Sequence, residues 1–330
     1  MSLISFAVST LKKQKSQVVS VHQNTKISKC YLWYSFFKWY ILYGASPSDW
    51  LNYRMWEMSR VYARQFITAR DNDRLDKMYN SRELVDTFTN KVLFNKEFAE
   101  FVRRDWIYTA EHNDDVIKNW CLNHKDIVVK PIALSSGIGV FGFHANSENI
   151  DSFMEKIKES SKCKEGAGYL IESQVVNTDS LRRLNPPSCQ TIRIYTILDK
   201  NNTVIFLAAA IRVGGSDNVV DNFHAKGSAF PINLETGIVY GLGIDAVGNR
   251  HLTTPSSGIT MPGFQIPCWK DVKSFVEKAA KHRPQAKFIG WDVAITPNGC
   301  DMIEGNVMPN HNFLQIFDRV GRKKELYSYK

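Results

Sequence analysis

Over its first 125 residues the chain places apolar positions mostly at helical spacing. Between residues 49 and 70, Trp50, Leu51, Met55, Trp56, Met58, Val61, Tyr62 and Phe66 recur at helical intervals after the cap residue Ser48, which predicts one helix. A second helix is expected over 81–94, with Leu84, Val85, Phe88 and Val92 on one face, and a third over 96–106. The run 31–44 (YLWYSFFKWYILYG) is the longest apolar stretch and is interrupted by Lys38. A membrane span needs about 20 apolar residues, so the run is expected to be a buried helix. An interfacial helix is the alternative, because its aromatics adjoin a basic segment.

Beyond Asp126 the pattern shifts to strands, turns and occasional helices. β-rich runs cover 127–131, 140–143, 169–176, 191–199 and 204–214, and helices are expected over 147–160 and 269–282. Strands return at 288–295 and 300–304, and there is no internal repeat. This order predicts an α+β nucleotide-binding core behind a helical N-terminal region.

Composition narrows the class without choosing an activity. The 330 residues are 44% hydrophobic and 23% charged, which excludes a disordered, collagenous or low-complexity chain. The net charge of +9 is concentrated at the ends. Residues 1–60 carry eight Lys or Arg against Asp49 and Glu57, and the tail after Asp318 adds five against Glu325. Such ends are either simply solvated or meet phosphate-rich partners or an anionic membrane surface. No nucleic-acid-binding module accompanies them, so no nucleic acid partner is expected. The six cysteines are scattered without a C-x-x-C pair, which predicts reduced thiols. Residues 1–8 lack the basic start of a secretory signal. The expected location is cytoplasmic, extending to the inner membrane face.

The segment 290–310 (GWDVAITPNGCDMIEGNVMPN) carries the sharpest chemistry. Thr296-Pro297-Asn298-Gly299 fits a type I turn, with Gly299 as the left-handed residue of a three-residue hairpin loop. That loop would place Thr296 opposite Cys300, and hence Asp292 opposite Glu304, with Asn306 on the same face. Directly opposed like charges sit roughly 5 Å apart and destabilise a sheet. Two carboxylates and an amide oxygen so placed suit Mg²⁺, which takes oxygen ligands. The apolar neighbours Trp291, Val293, Ile295, Met302 and Ile303 argue against a fully solvated hairpin.

Upstream, Lys130 ends the run IVVKP, and the loop Ser135-Ser136-Gly137-Ile138-Gly139 follows. Glycine backbone can approach a phosphate closely, and the lysine adds a point charge. Neither the P-loop nor the G-x-G-x-x-G pattern is present. Glu172 in YLIESQVV is placed to read an adenine through its carboxylate or backbone, or is an ordinary strand acid. Arg193 in TIRIYTI and Arg212 in AAAIRVGG sit between apolar strand residues, where a guanidinium needs an anion or a salt bridge. His224, in DNFHAKG, reads as a polar contact rather than a base.

In order, these pieces resemble the ATP-grasp superfamily, and specifically its sugar-transfer-associated branch, found with polysaccharide biosynthesis. The similarity spans about residues 95–315, from Asn95-Lys96 through IVVKP, SSGIGV, YLIESQVV, TIRIYT, AAAIRVGG and DNFHAKG to WDVAITPNGCDMIEGN. It implies an ATP-grasp domain over 95–330 behind a helical region over 1–94. Within that domain, subdomains of about 126–176 and 177–330 would grip ATP. It further implies that Lys96 and Lys130 meet the ATP phosphates, Lys91 being the other lysine in the neighbourhood of Lys96. Ser135, Ser136, Gly137 and Gly139 would close over them, while Glu172, Ser173, Gln174 and Val175 line the adenine. Arg193 and Arg212 would face the transferred phosphate and acceptor, Asn222 would lie near the γ-phosphate, and Asp292, Glu304 and Asn306 would hold Mg²⁺.

The activity this resemblance implies is ATP- and Mg²⁺-dependent carboxylate–amine ligation through an acyl phosphate. Its substrates would be a small-molecule or glycan-precursor carboxylate and an amine, in building a capsular or exopolysaccharide. No nucleophile motif or His-based triad competes with that reading, since phosphoryl transfer rests on positioning and charge neutralisation. A kinase acting on a hydroxyl and a weakly catalytic nucleotide-binding scaffold stay open as alternatives.

Overall fold

A computed structural model of the protein describes residues 3–132, 138–162, 168–215 and 227–329. Ser135, Ser136, Gly137, Asn222 and His224 lie outside the described residues. The chain divides into two compact units, one of residues 1–79 with 308–330 and one of residues 80–307.

The first unit is helical. Helix α1 (Leu3–Thr25) and helix α2 (Lys29–Tyr43) are followed by short helices at Pro47–Asn52, Arg60–Ala63, Ala69–Tyr79 and Lys323–Ser328. The single helix expected over 49–70 is broken instead. Arg54 turns left-handed at φ 55°, and Ser59 caps a new helix by accepting from the Tyr62 amide at 3.2 Å. The cause lies in packing. Trp50, Tyr53, Met55 and Trp56 are all buried in one cluster with Phe36 and Trp39, and their spacing covers too wide an arc for one straight helix to bury all four. The run 31–44 does form a helix, but it is not buried throughout. Leu32, Ser35, Phe36 and Trp39 face inward, whereas Tyr34, Phe37 and Ile41 face outward.

A buried polar pair fastens this unit. Asp49 accepts from His311 Nε2 at 2.7 Å and from the amides of Ser46 and Ala69 at 2.7 and 2.9 Å. Burial alone would raise its carboxyl, but His311 and these donors hold it below its ordinary value. A depressed folded value contributes stability above the unfolded carboxylate range, and that stability is lost as pH falls through the folded value. Asp49→Asn should therefore cost about 2–3 kcal/mol in urea unfolding at pH 7. The difference from wild type should shrink below about pH 4, and an undiminished difference there would contradict the assignment.

The second unit holds two antiparallel sheets. Strands β1 (Trp106–Tyr108), β2 (Asp126–Pro131), β3 (Phe141–His144) and β4 (Tyr169–Ser173) form the smaller one, in the order β1-β4-β2-β3. Its apolar side, with Ile107, Ile127, Val129 and Ile171, packs with residues of the helices Asp114–His124 and Ile150–Lys162. The larger sheet has β5 (Thr191–Leu198), β6 (Val204–Val213), β7 (Ser228–Ile232), β8 (Gly243–Asp245), β9 (Arg250–His251), β10 (Phe288–Thr296) and β11 (Gly299–Val307). Their order is β11-β10-β5-β6-β7-β8-β9. Ile192, Ile194, Ile211, Val293 and Ile295 meet the helix Trp269–His282 on one side, so the strand period of two presents Arg193, Arg212 and Asp292 on the other. The α+β class and the helical N-terminal region are as the sequence predicts.

Two local expectations are corrected. The helix expected over 96–106 ends at Glu97, and Trp106–Tyr108 is strand β1. The chain runs non-helically between them because Arg104 is drawn into a buried ion-pair cluster. Over 81–94 the helix is also interrupted, at Asn90, whose side chain caps Lys91–Glu97 by accepting from the amides of Val92 and Leu93.

Candidate functional site

The β10–β11 hairpin reaches the expected opposition of acids by a different route. Thr296 pairs with Gly299 across a two-residue turn, not with Cys300, and Ile295 pairs with Cys300. That register alone would put Asp292 opposite Ile303. A bulge between Asp292 and Val293 leaves Ile303 without a partner, so Asp292 lies opposite Glu304 and Gly290 opposite Asn306. Bulges of this kind redirect a side chain. Gly299 takes φ 105°, as the turn requires, and a Cβ there would meet Arg103 Nη1 at 2.9 Å.

Across β6, β5, β10 and β11, residues Ala210, Arg193, Asp292 and Glu304 stand side by side. Arg193 grips Asp292 with two bonds, Nε to Oδ1 at 2.5 Å and Nη2 to Oδ2 at 2.6 Å. Arg212 donates from Nε to Thr191 Oγ1 at 3.0 Å and brings Nη2 to 3.1 Å from Asp292 Oδ2. Asn306 Nδ2 donates to Glu304 Oε1 at 3.1 Å. Five of the residues singled out from sequence thus converge on one face.

Their charges are unevenly matched. Burial alone would raise the Asp292 carboxyl, but Arg193 and Arg212 outweigh it and hold it below the usual range. Glu304 is raised, by burial and by the charge of Asp292. Its side chain keeps 45% of its surface open, which makes the Asp292 charge the firmer of the two causes. No three His, Cys, Asp or Glu side chains converge as a metal cluster among the described residues. The hard oxygen donors here are two carboxylates and the Asn306 amide. A divalent cation would fit this set, since Arg193 Nη2, 3.9 Å from Glu304 Oε1, is bonded to Asp292 and leaves the Glu304 charge only partly matched.

The smaller sheet supplies a second set of charges. Lys130 on β2 lies diagonally across from Glu172 on β4 and forms an ion pair with its Oε2. Glu172 Oε1 accepts from Arg104 Nη2 at 2.8 Å and from Asn95 Nδ2 at 3.1 Å. Arg104 continues to Asp301 Oδ1 at 2.9 Å and to the carbonyls of Met302 and Ile303 at 2.7 and 3.1 Å. Arg104 therefore ties the smaller sheet to the β10–β11 hairpin. Burial works against ionising both acids, but Arg104 and Lys130 together hold Glu172 far below the usual carboxylate range. Asp301 has only a share of Arg104, and burial leaves it raised.

Several expected contacts fall elsewhere. Lys96 is exposed and paired with Glu111 Oε1 at 2.7 Å. Lys91, five residues earlier at the start of the same helix, donates to the Pro131 carbonyl at 3.2 Å. Burial lowers its ammonium, Glu304 and Glu172 oppose that effect, and Lys130 adds to it. The Glu172 carboxylate is occupied within the protein. The Ser173 hydroxyl accepts from the Asp105 amide at 3.1 Å, and the Gln174 amide donates to the Asp126 carbonyl. Gln174 and Val175 are half-buried. Gly139 is left-handed at φ 74° just before β3, which favours glycine there. Arg104 and Asp301 were not legible as site residues, because Arg103-Arg104-Asp105 reads as a solvated charge run.

A cavity of about 510 Å³ opens further along the larger sheet, lined by Ser228, Asp245, His251, Thr253 and Thr254 among others. His251 Nε2 and Asp245 Oδ2 are 3.0 Å apart, and among the described residues the buried Ser228 Oγ has no hydrogen-bond partner. Ser228 pairs with Val213, the neighbour of Arg212.

The family model described as sugar-transfer associated ATP-grasp matches residues 70–329. The chain belongs to that family. None of the curated proteins matches this ATP-grasp chain in sequence. Among solved structures it is similar to the ATP-grasp ligase PsnB complexed with minimal precursor, at 12% identity and a TM-score of 0.45, covering 76% of this chain and 64% of PsnB. It is also similar to D-alanyl-alanine synthetase A from Vibrio cholerae O1 biovar eltor str. N16961, at 11% identity and a TM-score of 0.46, covering 74% and 65%. A third is the ADP complex of PurK, an N5-carboxyaminoimidazole ribonucleotide synthetase, at 10% and 0.44, covering 75% and 53%. The ATP-grasp chain thus spans less than two thirds of each of these proteins.

Proposed function

We propose that this protein is an ATP- and Mg²⁺-dependent carboxylate–amine ligase that modifies a cell-surface glycan precursor at the cytoplasmic side. The observation that carries the reading is the convergence of Asp292, Glu304 and Asn306 with Arg193 and Arg212 on one sheet face. Family membership supports the use of ATP, and the family's description supports the glycan context.

Asp292, Glu304 and Asn306 would hold the magnesium ion, which when bound neutralises phosphate charge. Lys130 and Lys91 would meet the ATP phosphates, with Lys91 taking the place first given to Lys96. Because Glu172 is engaged by Arg104 and Lys130, adenine contacts pass to the backbone of Gln174 and Val175. Ser135, Ser136, Gly137 and Gly139 remain the proposed phosphate loop, and Asn222 the proposed γ-phosphate contact. The hydroxyl-, carboxylate- and imidazole-lined cavity beside Arg212 would take the acceptor.

The chemistry follows in two displacements. A carboxylate oxygen of the substrate attacks the γ-phosphorus, and the bond to the ADP oxygen breaks. The amine nitrogen then attacks the acyl carbon, the C–O bond to phosphate breaks, and the amine's proton passes to solvent. Arg212 offers a planar fork to the anionic oxygens of both stages.

With the correct carboxylate labelled in its oxygens by ¹⁸O, label should appear in released phosphate only when the amine is also present. Arg212→Lys should slow that transfer by about 10²-fold, since a point charge cannot reproduce the fork. Accumulation of an unlabelled phosphate ester would replace the ligase with a kinase, and ATP binding without turnover would leave a scaffold.

A further inference from the structure

A helix that is apolar all round is normally enclosed on all sides. Apart from Lys29, Ser35 and Lys38, helix α2 is apolar all round, yet only one side of it is enclosed. Leu32, Ser35, Phe36 and Trp39 pack into the first unit. On the opposite side Tyr34, Phe37 and Ile41, spaced by three and four residues, form an outward stripe, with Tyr34 62% and Ile41 69% exposed. Tyr31, Tyr40 and Leu42 widen it. Contiguous exposed apolar surface of this kind marks an interaction site.

Charge selects the occupant. The first 48 residues contain Lys12, Lys13, Lys15, Lys26, Lys29 and Lys38 and no aspartate or glutamate. All of these lysines except Lys38 are exposed. A second copy of the chain seated on this face would oppose two such basic runs, which repel. An anionic surface attracts them. The stripe itself consists of aromatic and aliphatic groups, and its tyrosines join an apolar ring to a polar tip, the form suited to a bilayer's headgroup level. The helix has 15 residues, or about 22 Å at 1.5 Å per residue, which is too short to cross a bilayer. No helix among the described residues is long and apolar enough to do so. We propose that the outward face of α2 docks in the plane of an anionic membrane surface, with the N-terminal lysines supplying the electrostatic attraction. This inference is independent of the reaction proposed above.

Co-sedimentation of the full chain with phosphatidylcholine vesicles, with and without phosphatidylglycerol, tests it at low and high salt. Binding should require phosphatidylglycerol and weaken with salt. The combined variant Tyr34→Ser, Phe37→Ser, Ile41→Ser should bind on the order of a hundredfold more weakly while still unfolding cooperatively in urea, at a lower midpoint because Phe37 also packs on Trp33 and Phe36. Lys12→Gln, Lys13→Gln and Lys15→Gln should each weaken binding by up to about fivefold. Three outcomes overturn the proposal: no binding to phosphatidylglycerol vesicles at low salt, equal binding to both vesicle types, or wild-type binding by the triple serine variant. A wild-type dimer that this variant converts to monomer also overturns it and assigns the face to a second copy.

Discussion

Glu304→Gln should lower ATP turnover by about 10²–10³-fold, because it removes a hard anionic oxygen from the proposed metal set. The same change should leave the fold intact and raise the unfolding midpoint slightly at pH 7. Glu304 faces the charge of Asp292 and its carboxyl is raised in the folded protein. A raised folded value costs stability at neutral pH and returns it as pH falls toward the folded value. Glutamine removes that repulsion, so the variant's stability should vary less with pH between about 4 and 7. Asp292→Asn should be at least as damaging to turnover but harsher on the fold. Asp292 is fully buried under Arg193, and losing its charge strands a buried guanidinium. Activity in both variants equal to wild type would remove these residues from the site. A loss of turnover matched by a loss of stability in Glu304→Gln would reduce it to a structural residue.

The second large effect is expected at Arg104. Its guanidinium is buried between Glu172 and Asp301, whose side chains are also buried. Arg104→Leu should destabilise the protein by about 3–5 kcal/mol in urea unfolding at pH 7, since it leaves two buried carboxylates short of a counter-charge. Lys130 still faces Glu172, so Asp301 should suffer more. With the arginine gone, burial raises both carboxyls, and protonation relieves the penalty. The loss should therefore be greatest near pH 7 and shrink as pH falls toward about 5. Arg104→Lys should rescue only part of it, because one ammonium cannot span two carboxylates and two carbonyls. A pH-independent loss, or full rescue by lysine, would show that packing rather than charge is what Arg104 provides. The KM for ATP should also rise in Arg104→Leu, because Lys130 is then drawn more tightly onto Glu172 and away from phosphate.

Local spacing determined much of this protein without any tertiary information. The helix Trp269–His282 was legible to the residue because its apolar positions repeat at helical spacing and it packs on one side only. Strand phases were legible because period two separates Ile192 and Ile194 from Arg193, and the apolar residues had to face the core. The opposition of Asp292 and Glu304 was expected from the hairpin, although the turn was shorter and the bulge at Ile303 restored the alignment. A bulge depends on what the strand packs against, and spacing does not record it. The tertiary structure decided the partners. Glu172 finds Arg104 and Asn95 across 68 and 77 residues of sequence, and Lys91 rather than Lys96 turns toward the acidic groups because Lys96 is held by Glu111. Buried charges choose partners by distance in space, which residue type and spacing leave open. The same reason explains α2: an apolar helix specifies that both sides must be covered, and only the packing shows which side the protein covers itself.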